Sequence, residues 1–568
     1  MTKQGSSQAT RLVDLSRDVE LFHTPDDRHY GTIAVQGHHE TWPVRSTYFK
    51  QWLLRRFYEF WKCAPKGQEL QDALETISAK AQFEGKELAV FTRVAECWGY
   101  IYVDLGDAER RAAEDKPSGW SIVSRPPVRF RRSDGMMALP TPEHGGSISS
   151  LRRFVNVKED DWILFVSWLI AAFRPKGPYP ILGLSGEQGS AKTTAGRVAR
   201  LLIDPFKAPM RTKPRNEHDL MIAASNSHIV TLDNLSRIEQ WLSDALCRLA
   251  TGGGLATRKL YTDEEEVIFD AQRPVLLNGI EEVAVKGDLL DRMVTLSLPE
   301  ISDEERRPEA EFWKEFEAER PLIPGALLSG VSAALRNIDK VKLEKKPRMA
   351  DFAIWVSAAE CELGFKPGEF IEAYTNNRKE ASDIALESSP VATEVYEFMR
   401  GKNKWEGTFG ELLASLNARV NKGSRTGRAL PISARALSNE LTRLIPNLRN
   451  AGITFHRLPR EAGTGKRLIR LEKTPTAESQ PLRLAQPQAD HEVLRDGSCD
   501  VRRDDVGRTE AALSEGCDGV TVRDDQSQST HPDGPKRYIP EGDKTRNSGV
   551  MCKPGPYDNS TQGVGGGA

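Results

Sequence analysis

Apolar and polar residues alternate along "HYGTIAVQGHHETWPV" (29–44), which predicts strands, and the pattern then changes period. In "STYFKQWLLRRFYEFWK" (46–62) and "ELQDALETISAKAQFEG" (69–85) the aromatics and leucines recur at helical spacing. "WGYIYVDLGD" and "GWSIVS" read as a strand pair, which makes residues 1–150 an α+β region.

Beyond Leu151 the pattern becomes α/β. Apolar runs "YPILGLSG", "HIVTLDN", "RPVLLNGI" and "MVTLSLP" alternate with helical stretches, as a parallel sheet with crossover helices requires. From Asp303 to about Leu386 the spacing is mostly helical, predicting a lid or helical subdomain within one unit, 151–386. Residues 387–473 form another. There Ser433 is the expected N-cap of a helix carrying Leu437, Leu441, Leu444 and Leu448, and Gly452 stops it. Two alternating strands, "ITFHRLPR" and "KRLIRLEK", follow across the turn "EAGTG". Helices before a basic hairpin are the layout of a winged helix. In 474–568 the apolar residues thin out among Asp, Gly, Ser, Gln and Pro, which predicts a disordered, mildly acidic tail.

The chain has 568 residues, too many for one core. Its 79 Lys and Arg balance 81 Asp and Glu, so only the placement of charge bears on partners. No long apolar run suggests a membrane span, and the polar start "MTKQGSSQATRLVDLSRD" lacks the apolar segment of a secretory signal. Seven scattered cysteines include no C-x-x-C pair, which fits a reducing compartment and a cytoplasmic protein.

Chemistry concentrates in "YPILGLSGEQGSAKTTAGRVARLL" (179–202). A phosphate-binding loop needs tight glycine curls, inward backbone N–H groups, a helix N-terminus behind and a lysine to span phosphates. Gly186, Glu187, Gln188, Gly189, Ser190 and Ala191 supply the loop between an apolar strand and a helix. Lys192 is then the contact for β- and γ-phosphates of ATP, Thr193 a ligand of Mg²⁺, and Thr194 a contact for the α-phosphate. Ala191 stands where such loops usually end in glycine, and its methyl is accommodated provided φ stays below zero.

The partner of such a loop is an apolar strand ending in a carboxylate that holds the hydrated Mg²⁺, and "SHIVTLDNLS" provides Asp233. Asn234 follows where many ATPases place a glutamate. An asparagine orients water but takes no proton, which weakens the case for fast hydrolysis. Asn278 ends another apolar strand, placed either to sense the γ-phosphate or simply to cap a turn. Arg292 precedes a fourth strand. It could reach a neighbouring subunit's γ-phosphate, or form an ordinary salt bridge with Asp288 or Asp291.

The order "GEQGSAKTT", "IVTLDN", "LCRLATGGGLATRKLYTDEEEVIFDAQRPVLLNGI", "LLDRMVTLSLP" resembles the AAA+-type superfamily 3 helicase domain of phage and plasmid primase-helicases. The chain from about Leu21 to Lys473 is similar to ATP-binding proteins of bacterial mobile elements and phages, with "MIAASNSHIVTLDNLS" characteristic of that branch. The resemblance implies a P-loop, AAA+-like core that assembles as a homo-oligomeric ring. It also implies a hairpin gripping single-stranded DNA in the channel through Arg258 and Lys259, with Tyr261 in support. Only Asp104 and Asp107 hint at an acidic primase site, and a strand-end turn is the better reading of them, so the primase function is either missing or supplied by a separate primase or polymerase as partner.

Residues 401–473 carry 15 Lys and Arg against five acidic residues, a local basic footprint. Arg435, Arg443 and Arg449 fall on the expected recognition helix, and Arg457, Arg460, Lys466, Arg467 and Arg470 on the wing. These residues suit duplex DNA, the alternative being a solvated basic face. The expectation is an ATP-dependent DNA translocase or helicase serving replication of a phage or mobile element. Its rivals are an ATP-driven switch that assembles on DNA with little turnover, and a primase-polymerase.

Overall fold

A computed structural model describes residues 6–258, 266–269, 272–279, 287–420, 430–460 and 467–473. Every described residue belongs to one compact unit. The tail expected over 474–568 lies outside the described residues.

After α1 (Gln8–Leu15), β1 (Glu20–His23), β2 (His29–Val35) and β3 (His38–Pro43) run antiparallel, where the alternation places strands. Ser46 caps α2 (Thr47–Trp61) by accepting from Phe49 N at 3.2 Å. Phe49, Leu53 and Phe57, four residues apart, then bury one face of α2 in a core shared with α3 (Gly67–Phe83). Short β4 (Lys86–Glu87) adds in parallel to β1, and β5 (Val90–Phe91) pairs with a later strand.

Next comes an antiparallel meander of β6 (Val94–Cys97), β7 (Tyr100–Asp104), β8 (Ala112–Lys116) and β9 (Gly119–Val123), and then β10 (Arg129–Phe130), the partner of β5. The two segments expected to pair, now β7 and β9, do not touch as partners, because β8 stands between them. Its sequence, Ala-Ala-Glu-Asp-Lys, has no β-branched or aromatic residue to announce a strand. Pairing on both edges and burial of Ala112, Ala113 and Asp115 decide its conformation.

The central layer is a parallel sheet in the order β12 (Val230–Leu235), β15 (Val275–Gly279), β11 (Ile181–Ser185), β16 (Met293–Ser297). Side chains alternate between its faces. Leu182, Leu184, Leu276 and Val294 enter one core, and Ile181, Leu277, Val230 and Met293 the other. Helix α4 (Glu159–Ala172) is apolar all round and buried from Trp162 onward, with three acids in its first turn facing the helix N-terminal dipole. Crossovers are made by α5 (Lys192–Ile203), α6 (Glu217–Asn226) and α7 (Gln240–Thr251). An antiparallel ladder of β13 (Leu255–Arg258) and β14 (Glu266–Phe269) follows α7. Beyond the short α8 (Gly287–Leu290) and β16, the chain is helical: α9 (Glu309–Glu319), α10 (Leu322–Asn337), α11 (Ala350–Ala359) and α12 (Glu369–Ser388). One continuous core runs from Val94 to Tyr374, on both sides of residue 150.

The remaining core gathers α13 (Pro390–Met399), β17 (Lys404–Gly407), α14 (Phe409–Val420), α15 (Ala434–Asn450), β18 (Ile453–Arg460) and β19 (Arg467–Lys473). Ser433 caps α15 as expected, accepting from Ala436 N at 3.2 Å. Leu437, Leu441 and Leu448 are fully buried, each contributing about 2 kcal/mol of apolar transfer. The three strands are antiparallel in the order β17-β19-β18. The molecule is thus mixed α/β around a parallel sheet. Among the described residues no helix is long and apolar enough to cross a membrane.

Candidate nucleotide-binding site

β11 delivers the chain into the loop 186–191 at the C-terminal edge of the parallel sheet, where crevices form between strands whose connections diverge. Two glycines there take backbone conformations that other residues rarely adopt. Gly186 has φ +138°, and a Cβ on it would lie 2.5 Å from Leu298 O, while Gly189 has φ +89°. Ala191 is also left-handed, at φ 61° and ψ 28°, so the condition of negative φ placed on it does not hold. The loop must turn the backbone through this region to enter α5 whatever residue is present. Alanine adopts the geometry of glycine at a cost of roughly 1–2 kcal/mol.

Lys192 opens α5 and folds back over the loop. Its Nζ donates to Gly186 O at 2.9 Å, Glu187 O at 2.6 Å and Ser190 Oγ at 3.2 Å. Ser190, fully buried, donates from Oγ to Glu187 O at 2.8 Å. Glu187 and Gln188 lie exposed on the loop crest, and Thr194 is half-buried one residue past Thr193.

Asp233 and Asn278 come from two neighbouring strands and meet Thr193. Thr193 Oγ1 donates to Asp233 Oδ1 at 3.4 Å. Asn278 Nδ2 donates to Thr193 Oγ1 at 3.0 Å and also to Asp233 Oδ1. The β12–β15 register shifts between Leu232 and Leu235, a bulge at the strand end that carries Asp233 and Asn234. Asn234 is exposed and left-handed at φ 55°, a conformation asparagine tolerates better than glutamate does. Asn278 is 3% exposed, and its Oδ1 is buried with no partner. An orphaned acceptor beside a hydroxyl and a carboxylate suits a donor supplied from outside the protein, such as a water held on a cation.

Two further residues reach the loop that no motif singles out. Asn156 Nδ2 donates to Pro299 O at 2.7 Å and Ser190 O at 3.3 Å, tying the loop to the chain leaving β16. The Arg306 guanidinium stands 3.3 Å from the position a Cβ on Gly189 would take. Asn156 lies 34 residues before its loop partner, beyond the range of any spacing rule.

Arg292 is engaged within its own chain. Its guanidinium bonds the Asp288 carboxylate and, at 2.8 Å, Asp288 O, and Arg348 adds a second bridge to Asp288 at 3.1 Å. Burial pushes the Asp288 carboxyl up, but hydrogen bonds and charge from Arg292 and Arg348 hold it below the usual range. Asp104 is 2% exposed with both oxygens on Arg132, and Asp107 accepts from Arg111 Nε at 2.7 Å, the contacts of an ion-paired turn.

Of the residues expected to contact DNA, Arg258 ends β13 opposite Glu266, while Lys259 and Tyr261 lie outside the described residues. Arg435, Arg443 and Arg449 are exposed on α15, and Arg460 and Arg467 are exposed on the β18–β19 strands. Arg457 donates to Thr442 Oγ1 at 3.0 Å, joining hairpin to helix, and Arg470 is paired with Glu406 at 2.5 Å. Lys466 lies outside the described residues.

Residues 148–378 match the family model of the actinomycete integrative conjugative element replication protein. Residues 391–486 match that of the RepA C-terminal domain of the same elements. Both matches are to models of replication proteins of mobile elements. The first matched segment contains the whole of the loop, Asp233, Asn278 and Arg292, and the second contains α15 and the β18–β19 strands. No curated protein matches the sequence significantly. Among solved structures, one described as "SCCmec type IV Cch - active helicase" is 10% identical, with TM-score 0.43 over 80% of this chain and 93% of that one. An apo structure of the NrS-1 C-terminal region is 13% identical, with TM-score 0.34 over 83% of this chain and 100% of its own.

Proposed function

We propose that the chain is an ATP-dependent DNA translocase or helicase acting in replication of a mobile element. The observation that carries this reading is the meeting of Thr193, Asp233 and Asn278 at the mouth of the 186–191 loop, with the orphaned Asn278 Oδ1 among them. The core is read as an AAA+-like P-loop unit and the 387–473 region as a winged helix on duplex DNA.

Lys192 would exchange loop carbonyls for β- and γ-phosphate oxygens when ATP enters. Thr193 and Asp233 would hold Mg²⁺, which neutralises phosphate charge when bound. Asn278 Oδ1 would accept from the attacking water and aim it at the γ-phosphate. Arg258 and Lys259 would contact single-stranded DNA, and Arg435, Arg443 and Arg467 the duplex. In a ring, Arg292 would have to leave Asp288 to serve a neighbour's nucleotide.

The test is ATP hydrolysis by purified protein with and without single-stranded DNA, beside Lys192→Ala. DNA-stimulated turnover lost in the variant supports the motor. Asn234 favours a second reading, an ATP-driven switch on DNA, since an exposed left-handed asparagine offers no general base. Tight ATP binding with no DNA-stimulated turnover would select the switch.

A further inference from the structure

Two cations converge on the loop 186–191, and only one of them belongs to its motif. Lys192 Nζ is bonded to uncharged loop oxygens, and Arg306 lies on the segment between β16 and α9. Its Nη2 is 3.3 Å from where a Gly189 side chain would begin, so the glycine leaves the space the guanidinium uses. Ser302 and Glu305 form the turn that sets this approach: Glu305 N donates to Ser302 O at 3.1 Å and Ser302 Oγ to Glu305 Oε2 at 3.2 Å.

The partner of Arg306 is Asp303, three residues earlier, at 2.8 Å, and both side chains are largely in water. An exposed pair of this kind contributes ~0–1 kcal/mol and is readily exchanged for a better anion. Neighbouring arginines are committed more firmly. Arg197 lies over Trp313 and pairs with Glu309, and Arg307 lies over Phe312 and pairs with Glu315. Among the described residues Arg306 makes no such stack, and its guanidinium lies beside the loop at Gly189.

We propose that Arg306 is a phosphate clamp acting within its own chain: its guanidinium leaves Asp303 and takes the terminal phosphates of the nucleotide opposite Lys192. The proposal rests on the nucleotide reading of this loop. It gives the site a cation that needs no neighbouring subunit, in contrast to Arg292, and it couples nucleotide binding to the segment that leads into α9. Planar, forked donors match phosphate oxygens where a lysine would supply a point charge only.

The experiment measures affinity of the full chain for a non-hydrolysable ATP analogue, ADP and AMP, in wild type, Arg306→Ala, Arg306→Lys, Asp303→Ala and Lys192→Ala. Expected is a loss of about tenfold or more for the triphosphate in Arg306→Ala, a smaller loss for ADP and none for AMP. Arg306→Lys should recover part of it, and Asp303→Ala should bind the triphosphate at least as tightly as wild type. Arg306→Ala binding the triphosphate like wild type, while Lys192→Ala does not, overturns the clamp alone. An equal loss for all three nucleotides also overturns it, because the arginine then acts other than on phosphates. Wild type binding none of them overturns the nucleotide reading itself, and the clamp with it.

Discussion

Arg93 Nε donates to Asp204 Oδ1 at 3.0 Å across 111 residues of chain, and neither side chain reaches solvent. The arginine comes from just before the β6–β9 meander, and the aspartate ends α5, the helix that Lys192 opens. Arg93 also donates to Asp104 O and Met137 O, each at 2.8 Å. The other Asp204 oxygen accepts from His228 N and Ile229 N. Helix α5 is therefore pinned at its far end by the N-terminal region. Arg93→Ala leaves a buried carboxylate short of its partner and should cost about 3–5 kcal/mol, read as a large fall in Tm. Arg93→Ala with Asp204→Asn should recover part of it, since the uncompensated charge is gone.

His228 gives acid sensitivity to the same junction. Burial, and then the charge of Arg273, push its imidazole down to about 4, and its Nε2 faces Ala172 O at 2.7 Å. Below pH ~6.5 the unfolded chain takes up a proton that the native ring refuses until about pH 4. Stability is thus fully present above that window and falls as pH drops through it, by about 3 kcal/mol for this group alone. Thermal melts of wild type and His228→Gln from pH 8 to pH 4 should converge on acidification. Parallel curves would remove His228 from the acid response.

Asn278 is the residue on which hydrolysis is expected to turn. It donates to both Thr193 and Asp233 while its own acceptor stays open. Asn278→Ala should lower the maximal ATPase rate by about 100-fold, the scale of losing one well-placed polar group, with ATP affinity changed only a few-fold. Asp233→Ala should instead remove the Mg²⁺ dependence of binding. Equal losses of rate and affinity in Asn278→Ala would make it a structural cap.

Much of this site is legible because its signals are local. Gly186, Gly189, Lys192 and Thr193 are contiguous between an apolar strand and a helix, and Asp233 and Asn278 each end an apolar run. Local signals fail where tertiary contacts decide. Strand β8 looks like no strand, Asn156 and Arg306 reach the loop from distant sequence, and the Arg93–Asp204 pair has no spacing to betray it. The sign of φ at Ala191 belongs to the same class, since loop closure sets it and an alanine in sequence argues the other way.

That conformation makes Ala191 an informative position. Ala191→Gly removes left-handed strain of roughly 1–2 kcal/mol but adds unfolded-state freedom worth about 0.4–1 kcal/mol. The variant should be as stable as wild type or slightly more so, with nucleotide binding kept. Ala191→Val, a branched side chain at φ 61°, should be clearly destabilised and lose binding. Wild-type behaviour in the valine variant would show that the loop relaxes freely around this residue.

The basic face of 387–473 is tested by salt. Arg435, Arg443 and Arg467 are exposed and lie outside the apolar core of this region, so their removal should leave the fold intact. Each phosphate contact contributes about −0.9 to the slope of log K against log salt on duplex DNA. The triple alanine variant should bind duplex DNA more weakly and flatten that slope by about 2–3, whatever the DNA sequence. Fluorescence anisotropy at several salt concentrations reads both quantities. Weaker binding with an unchanged slope would mean that these arginines act through protein structure and not on phosphates. An unchanged slope and affinity would make this surface a solvated basic face.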